Sequence, residues 1–296
     1  MTQQTHDQYD PEQQEGDLSR RDFVAMGLAA GVVAAGIPAS AAMPVVETMV
    51  EIKTPDGTCD AAFSHPTTGT HPAVIIWPDA FGLRPAIREM GKRLAGEGYA
   101  VLTVNPYYRV GHGTLLDTKT FSFQNDRAKL APLMGSITAD GAAEKDAAAF
   151  VAWLDTQKQV NASKKIGTQG YCMGGPLVMR TSAAVPNRIG AGGSFHGGGL
   201  VTQNANSPHL LVPKIKAKMY FGVASNDDMQ QPTAKDTLKA AFETAKNPAK
   251  IEVYSSLHGW CMSDMPVAAG APPIYNQADA ERAWGELLAL YKAGLA

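Results

Sequence analysis

Charge is scarce in this chain, and it is balanced. Only 18% of the 296 residues are Asp, Glu, Lys or Arg, and the formal net charge is −2. The net charge gives no reason to expect nucleic acid or an anionic membrane surface as a partner. Cysteine is scarcer still. Cys59, Cys172 and Cys261 are the only three, enough for one disulfide at most. Neither they nor the histidines fall at the close C-x-x-C or H-x-x-x-H spacing of a metal site, so no metal or cofactor is expected. Internal repeats are absent, as is any linker rich in Pro, Gly or Ser within the body of the chain. With 45% hydrophobic residues the remainder has ample material for one core.

The amino terminus reads as a separate piece. Residues Met1 to Asp17 are polar and rich in Gln. Ser19-Arg20-Arg21-Asp22-Phe23-Val24 follows, then an uncharged Ala/Gly/Val stretch that ends in small residues at Ala39-Ser40-Ala41. A charged region, a modest apolar region and an A-x-A-like site make a removable export signal. The paired arginines resemble the twin-arginine type, which implies a bacterial protein passed folded through that export machinery into the periplasm. No charge interrupts Phe23 to Val46, but the stretch is diluted by Gly, Ala, Ser and Pro, so no stable membrane anchor is expected. Residues 1–42 are read as tail and signal, cleaved near Ala41-Ala42, and 43–296 as one domain.

Within that domain, Val46 to Lys53 alternates apolar and polar residues, and Pro55-Asp56-Gly57 turns it into Thr58 to Ser64, a hairpin at a sheet edge. Ala73 to Trp77 and Ala100 to Val104 are continuous apolar runs, as in strands buried on both faces. Between them Arg84 to Gly98 has helical spacing. Tyr107 to Ser136 is expected to be irregular or loosely helical and to line a substrate site. Ala139 to Leu154 is a helix. Strands follow at Lys164 to Tyr171, Ile189 to Phe195, Lys218 to Val223 and Ile251 to Tyr254, with helices at Thr233 to Thr244 and Ala278 to Ala293. This alternation predicts an α/β fold with one mostly parallel sheet covered by helices on both faces.

The stretch that organises the rest is Gly170-Tyr171-Cys172-Met173-Gly174-Gly175, between a β-prone run and a helix-forming one. It has the Gly-x-Ser-x-Gly nucleophile-elbow pattern with cysteine in the serine position. Such a turn places the nucleophile in a strained backbone conformation, and side chains two residues to either side would clash with it. The sulfur then stands near the positive end of the following helix, where a thiolate is favoured and backbone N–H groups can receive an oxyanion.

In a sheet of this kind reactive groups sit beyond the carboxyl ends of strands. After Lys218–Val223 comes Asn226-Asp227-Asp228, and after Ile251–Tyr254 comes His258-Gly259-Trp260. The order nucleophile, acid, histidine is that of the α/β-hydrolase fold. Cys172 is expected to attack, His258 to shuttle the proton, and Asp227, or alternatively Asp228, to orient the imidazole. His196-Gly197-Gly198-Gly199 looks like a lipase oxyanion motif, but it follows the nucleophile instead of preceding it. It is read as a Gly-rich loop at a strand end.

Gly170 to Gly175, the Asn226-Asp227 strand end and His258-Gly259-Trp260 together resemble the dienelactone hydrolase family, over essentially the whole of 43–296. The resemblance implies a thiol nucleophile without metal, acting on small-molecule esters or lactones. It also implies an oxyanion hole made by the N–H groups of Met173 and Ala80. Asp79 stands where family members often carry a Glu that touches the resting thiol. Arg109 is matched to a carboxylate-binding arginine, and Tyr107 and Trp260 are expected at the substrate. The chain departs from the type enzyme at Cys261-Met262-Ser263, where an arginine is found after the histidine.

Cys59 and Cys261 are expected to pair or stay buried, leaving Cys172 free. A competing expectation has Cys261 reach Cys172 and switch it off by oxidation. The principal alternative to a hydrolase is a thiol redox or sensor protein that uses Cys172. A non-catalytic binding protein comes third.

Overall fold

The alternating run from Val46 and the turn after it form a hairpin, in which β1 (Val45–Thr54) and β2 (Gly57–Pro66) pair antiparallel. The computed structural model describes residues 42–296. The tail and export signal expected up to residue 41 lie outside the described residues. The two apolar runs become β3 (Ala73–Trp77) and β4 (Ala100–Val104), with every residue buried. β5 (Ile166–Tyr171), β6 (Ile189–Phe195), β7 (Lys218–Ala224) and β8 (Lys250–Tyr254) complete one eight-stranded sheet in the order β1-β2-β4-β3-β5-β6-β7-β8. From β4 to β8 all pairing is parallel.

Parallel neighbours need crossovers, and the helices supply them. α1 (Pro85–Gly96) links β3 to β4, and α2 (Leu130–Thr138) and α3 (Ala142–Leu154) link β4 to β5. α4 (Gly174–Ala184) links β5 to β6, α5 (Ser225–Gln230) and α6 (Ala234–Thr244) link β7 to β8, and α7 (Gln277–Gly294) closes the chain. Apolar side chains of α3, α4 and α6, among them Phe150, Leu177 and Phe242, form the core on one face. Ile87 and Leu94 of α1 and Trp284 and Leu287 of α7 form it on the other. Each such side chain contributes about 1.5–3 kcal/mol by leaving water. Among the described residues no helix is long and apolar enough to cross a membrane.

The stretch expected to be irregular or loosely helical ends in α2, whose Leu133 and Ile137 bury one of its faces. One local boundary changes. α3 starts at Ala142, not Ala139, because Gly141 takes a left-handed conformation (φ 76°) that separates it from α2. The topology matters more for the site. β4 and β5 lie on opposite sides of β3, so the direction of winding reverses between β3 and β5. That reversal opens a crevice beyond the carboxyl ends of these two strands.

Candidate active site

Cys172 directly follows β5 at this crevice, with φ 51°, one of three non-glycine residues in the left-handed region among those described. The conformation costs about 1–3 kcal/mol and needs surroundings that hold it. A Cβ on Gly170 would collide with the Gly174 carbonyl, and one on Gly174 with the carbonyl of Trp77. The glycine spacing is therefore a steric requirement of the turn. Met173 caps α4, so the sulfur stands at the amino end of an 11-residue helix.

His258 follows β8, and its Nδ1 lies 2.7 Å from Asp227 Oδ2. Asn226 Oδ1 accepts the backbone N–H of His258 at 2.7 Å. The short helix α5 thus holds both the ring and the main chain of His258 through adjacent residues. Asp228 instead forms an ion pair with Lys235 at 2.7 Å. Successive residues of a helix point about 100° apart, so only one of the two carboxylates can face the histidine. Burial alone would lower the pKa of His258. Hydrogen bonds to Asp227 and to the Cys172 sulfur outweigh it and push the value up to about 10. With Nδ1 committed to Asp227, Nε2 is left for the sulfur.

The loop after β3 forms the opposite wall. Asp79 is 1% exposed, and both its oxygens accept from Arg84, at 2.7 and 2.9 Å. Oδ1 also accepts the N–H of Phe81 at 2.9 Å. Arg84 donates two further bonds to Asp264, both at 2.8 Å. Burial opposes the guanidinium's charge, and the two carboxylates restore it, pushing its pKa up. Tyr107 Oη donates to the Ala80 carbonyl at 2.9 Å and touches Met173 Sδ at 3.3 Å. Burial, then the charges of Asp79 and Cys172, push the pKa of Tyr107 up, so it remains a donor. Among the described residues the backbone N–H groups of Ala80 and Met173 meet no protein acceptor.

Cys172, His258, Asp79, Ala80 and Phe81 open on a mostly apolar cavity of about 460 Å³. The excursion after β4 supplies the outer wall through Phe123, Arg127, Leu130, Ala131 and Met134. His196 also lines it. Its Nδ1 accepts the N–H of Cys172 at 3.2 Å.

Three expected substrate contacts are corrected. Arg109 bonds Asp146 at 2.7 and 2.8 Å and Asp56 at 2.8 Å, beside the β1–β2 hairpin and away from the cavity. Asp146 is fully buried and needs a counter-charge, which is what holds Arg109 there. Trp260 is likewise fully buried, stacked on Tyr254 at 4.7 Å. Tyr107 lies behind the Ala80 loop and supports it without lining the cavity. Asp79 lines the cavity with its oxygens already engaged. Arg84 is not among the residues the sequence pattern singles out, and Asn226, part of the motif, is given no role there. Arg84 opens a helix like any Arg-Pro, and its partner Asp264 lies 180 residues away.

All three cysteines are free thiols. Cys59 and Cys172 belong to the core layer on one face of the sheet, whereas Cys261 packs into the layer on the other. The sheet separates Cys261 from both, and no disulfide is formed: of the expected alternatives, Cys59 stays buried and unpaired, while Cys261 is half-buried. Burial pushes the thiol pKa of Cys59 up, leaving it an inert packing residue.

An eight-stranded, mostly parallel sheet covered by helices, with a cysteine, an aspartate and a histidine following strands in that order, is an α/β-hydrolase architecture. The model of the dienelactone hydrolase family matches residues 59–295, and the chain belongs to that family. It is 27% identical over 222 residues to carboxymethylenebutenolidase 1 of Cupriavidus pinatubonensis, covering 75% of this chain and 86% of that one. It is 26% identical over 206 residues to the carboxymethylenebutenolidase of Pseudomonas sp. strain P51, covering 68% and 79%. A dienelactone hydrolase-like promiscuous phosphotriesterase from metagenomic libraries has the same fold, with TM-score 0.69 at 21% identity, over 87% of this chain and all of that one. The protein is a hydrolase acting on ester or lactone bonds.

Proposed function

We propose that the protein cleaves small esters or lactones through a Cys172–His258–Asp227 triad and an acyl-thioester intermediate. The observation that carries this is the 2.7 Å bond between His258 Nδ1 and Asp227, with Cys172 and His258 lining one mostly apolar cavity. The sulfur attacks the carbonyl carbon, and His258 holds the thiol proton as imidazolium, oriented by Asp227. The N–H groups of Ala80 and Met173 receive the developing oxyanion. As the tetrahedral species collapses, His258 gives its proton to the leaving oxygen, and the acyl group stays on sulfur. In a lactone the freed hydroxyl remains attached to that acyl group. Water then adds to the thioester, His258 takes its proton, and the acid departs with the thiol restored. The mostly apolar lining favours an uncharged acyl or alcohol part.

Intact-mass spectrometry with a panel of activated short-chain esters and lactones tests the proposal. A transient adduct of acyl mass on the wild type, absent from Cys172→Ala, is the expected outcome. No adduct and no turnover across the panel would favour a redox role for Cys172.

The pKa of His258 carries a second expectation. Its folded value, near 10, lies above the unfolded value of about 6.5. Its contribution to stability is therefore fully present below about pH 6.5 and is lost as the pH rises through about 10. The urea-midpoint advantage of the wild type over His258→Gln should shrink across that window. An advantage that grows with pH would show the sign to be wrong.

A further inference from the structure

We propose that His196 is a positioning residue for the nucleophile, its neutral imidazole bracing the main chain of Cys172 against the ring of His258. The inference rests on the reading of Cys172 as nucleophile and concerns a residue that the triad does not use.

His196 directly follows β6, as Cys172 follows the neighbouring β5, and both are non-glycine residues at positive φ (40° and 51°). The N–H of Cys172 is shared between the Phe195 carbonyl at 3.1 Å and His196 Nδ1 at 3.2 Å. The N–H of His196 is anchored in turn to the Gly222 carbonyl at 2.7 Å, on β7. Three adjacent strand ends are thus tied together through the imidazole and its backbone. The ring lies 5.1 Å from that of His258 and 5.0 Å from that of Trp260, edge-to-face in both cases. It therefore touches the nucleophile's backbone on one side and the proton carrier on another.

The chemistry of the ring follows from these contacts. Because Nδ1 accepts an N–H, the ring proton sits on Nε2, and Nε2 is buried with no partner among the described residues. Leaving such a group unpaired costs about 1–3 kcal/mol. An apolar ring would fill the same space without that cost. What histidine adds here is the Nδ1 acceptor, in a backbone conformation that histidine tolerates better than most residues. Protonating Nδ1 would set two donors against each other and place a second positive charge beside His258. Burial, and then the charge of His258, accordingly push the pKa of His196 down, and the ring stays neutral.

The test compares His196→Asn, His196→Gln and His196→Leu, with wild type and Cys172→Ala as controls, on an ester that the wild type turns over. Asparagine puts Oδ1 where Nδ1 was, whereas glutamine's polar end reaches the Nε2 place. His196→Asn should keep kcat within about threefold of wild type, and Gln and Leu should lose about 30- to 100-fold in kcat with KM within about threefold. Alkylation of Cys172 by iodoacetamide should slow in the same order. If the leucine variant does not fold, the Asn–Gln pair decides. Glutamine or leucine at wild-type kcat, or asparagine no faster than glutamine, overturns the inference. A Cys172→Ala protein as active as wild type would instead sink the nucleophile assignment itself.

Discussion

Cys172→Ala, His258→Ala and the double variant are expected to reach the same floor, about 10⁴- to 10⁶-fold below wild type in kcat. In the proposed triad the three should agree because sulfur and imidazole would act as one unit. His258 Nδ1 is bonded to Asp227, and Cys172 lines the same cavity as the ring. Without the sulfur there is nothing to acylate. Without the ring there is no acceptor for the thiol proton and no donor for the leaving oxygen. Removing the second group from an already disabled site has little left to remove. Residual turnover at the floor would come from the Ala80 and Met173 amides and from binding in the cavity. Steady-state kinetics on one activated ester settles the point. Losses that multiply in the double variant would mean that the two residues act in separate steps, and the triad mechanism would fail.

Arg84→Leu is expected to cost about 3–5 kcal/mol in stability, because it strands a buried carboxylate. The Arg84 and Asp79 side chains are 1% and 2% exposed, and Arg84 alone supplies Asp79 with its two charged hydrogen bonds. Asp79 in turn holds the N–H of Phe81, so the loop carrying Ala80 should slacken as well. For a domain of this size the loss corresponds to a melting temperature lower by about 6–20 °C. Activity measured well below the new midpoint should still fall, since the Ala80 amide, the proposed oxyanion donor, is no longer fixed. The double variant Asp79→Asn/Arg84→Leu should recover part of the stability, because no fully buried charge is left unpaired; Asp264, which also loses Arg84, is partly exposed and can be hydrated. A melting temperature within a degree or two of wild type for Arg84→Leu would show that the pair contributes little.

Features that depend on neighbours in the chain are legible in the amino-acid sequence alone. The elbow is one: Gly170 and Gly174 are required by clashes with atoms within a few residues or at the adjoining strand end. The layer architecture is another, since runs buried on both faces alternate with amphipathic helices, which calls for a mostly parallel sheet covered on both sides. Cys172, Asp227 and His258 can be picked out because each follows a strand, and a parallel sheet brings its strand ends to one side. Asp227 and Asp228 are alternatives in the sequence. The first turn of α5 separates them, turning one carboxylate to His258 and the other to Lys235.

The tertiary structure decided what depends on which face of the sheet a side chain meets. Arg109 stands at the start of the excursion that walls the cavity and Trp260 two residues after His258, yet one answers a buried aspartate and the other fills a core layer. The opposite faces of the same sheet keep Cys261 from Cys172. Arg84 joined to Asp264, and His196 set against Cys172, link segments far apart in the chain, and no local pattern encodes such contacts. By itself the sequence determined the fold class, the glycine-framed turn at Cys172 and the chain order of Cys172, Asp227 and His258, because steric and periodic constraints act over a few residues. The supports that hold those groups in place came only with the packed structure, because a buried charge or an unpaired nitrogen acquires its partner from whatever the fold brings beside it.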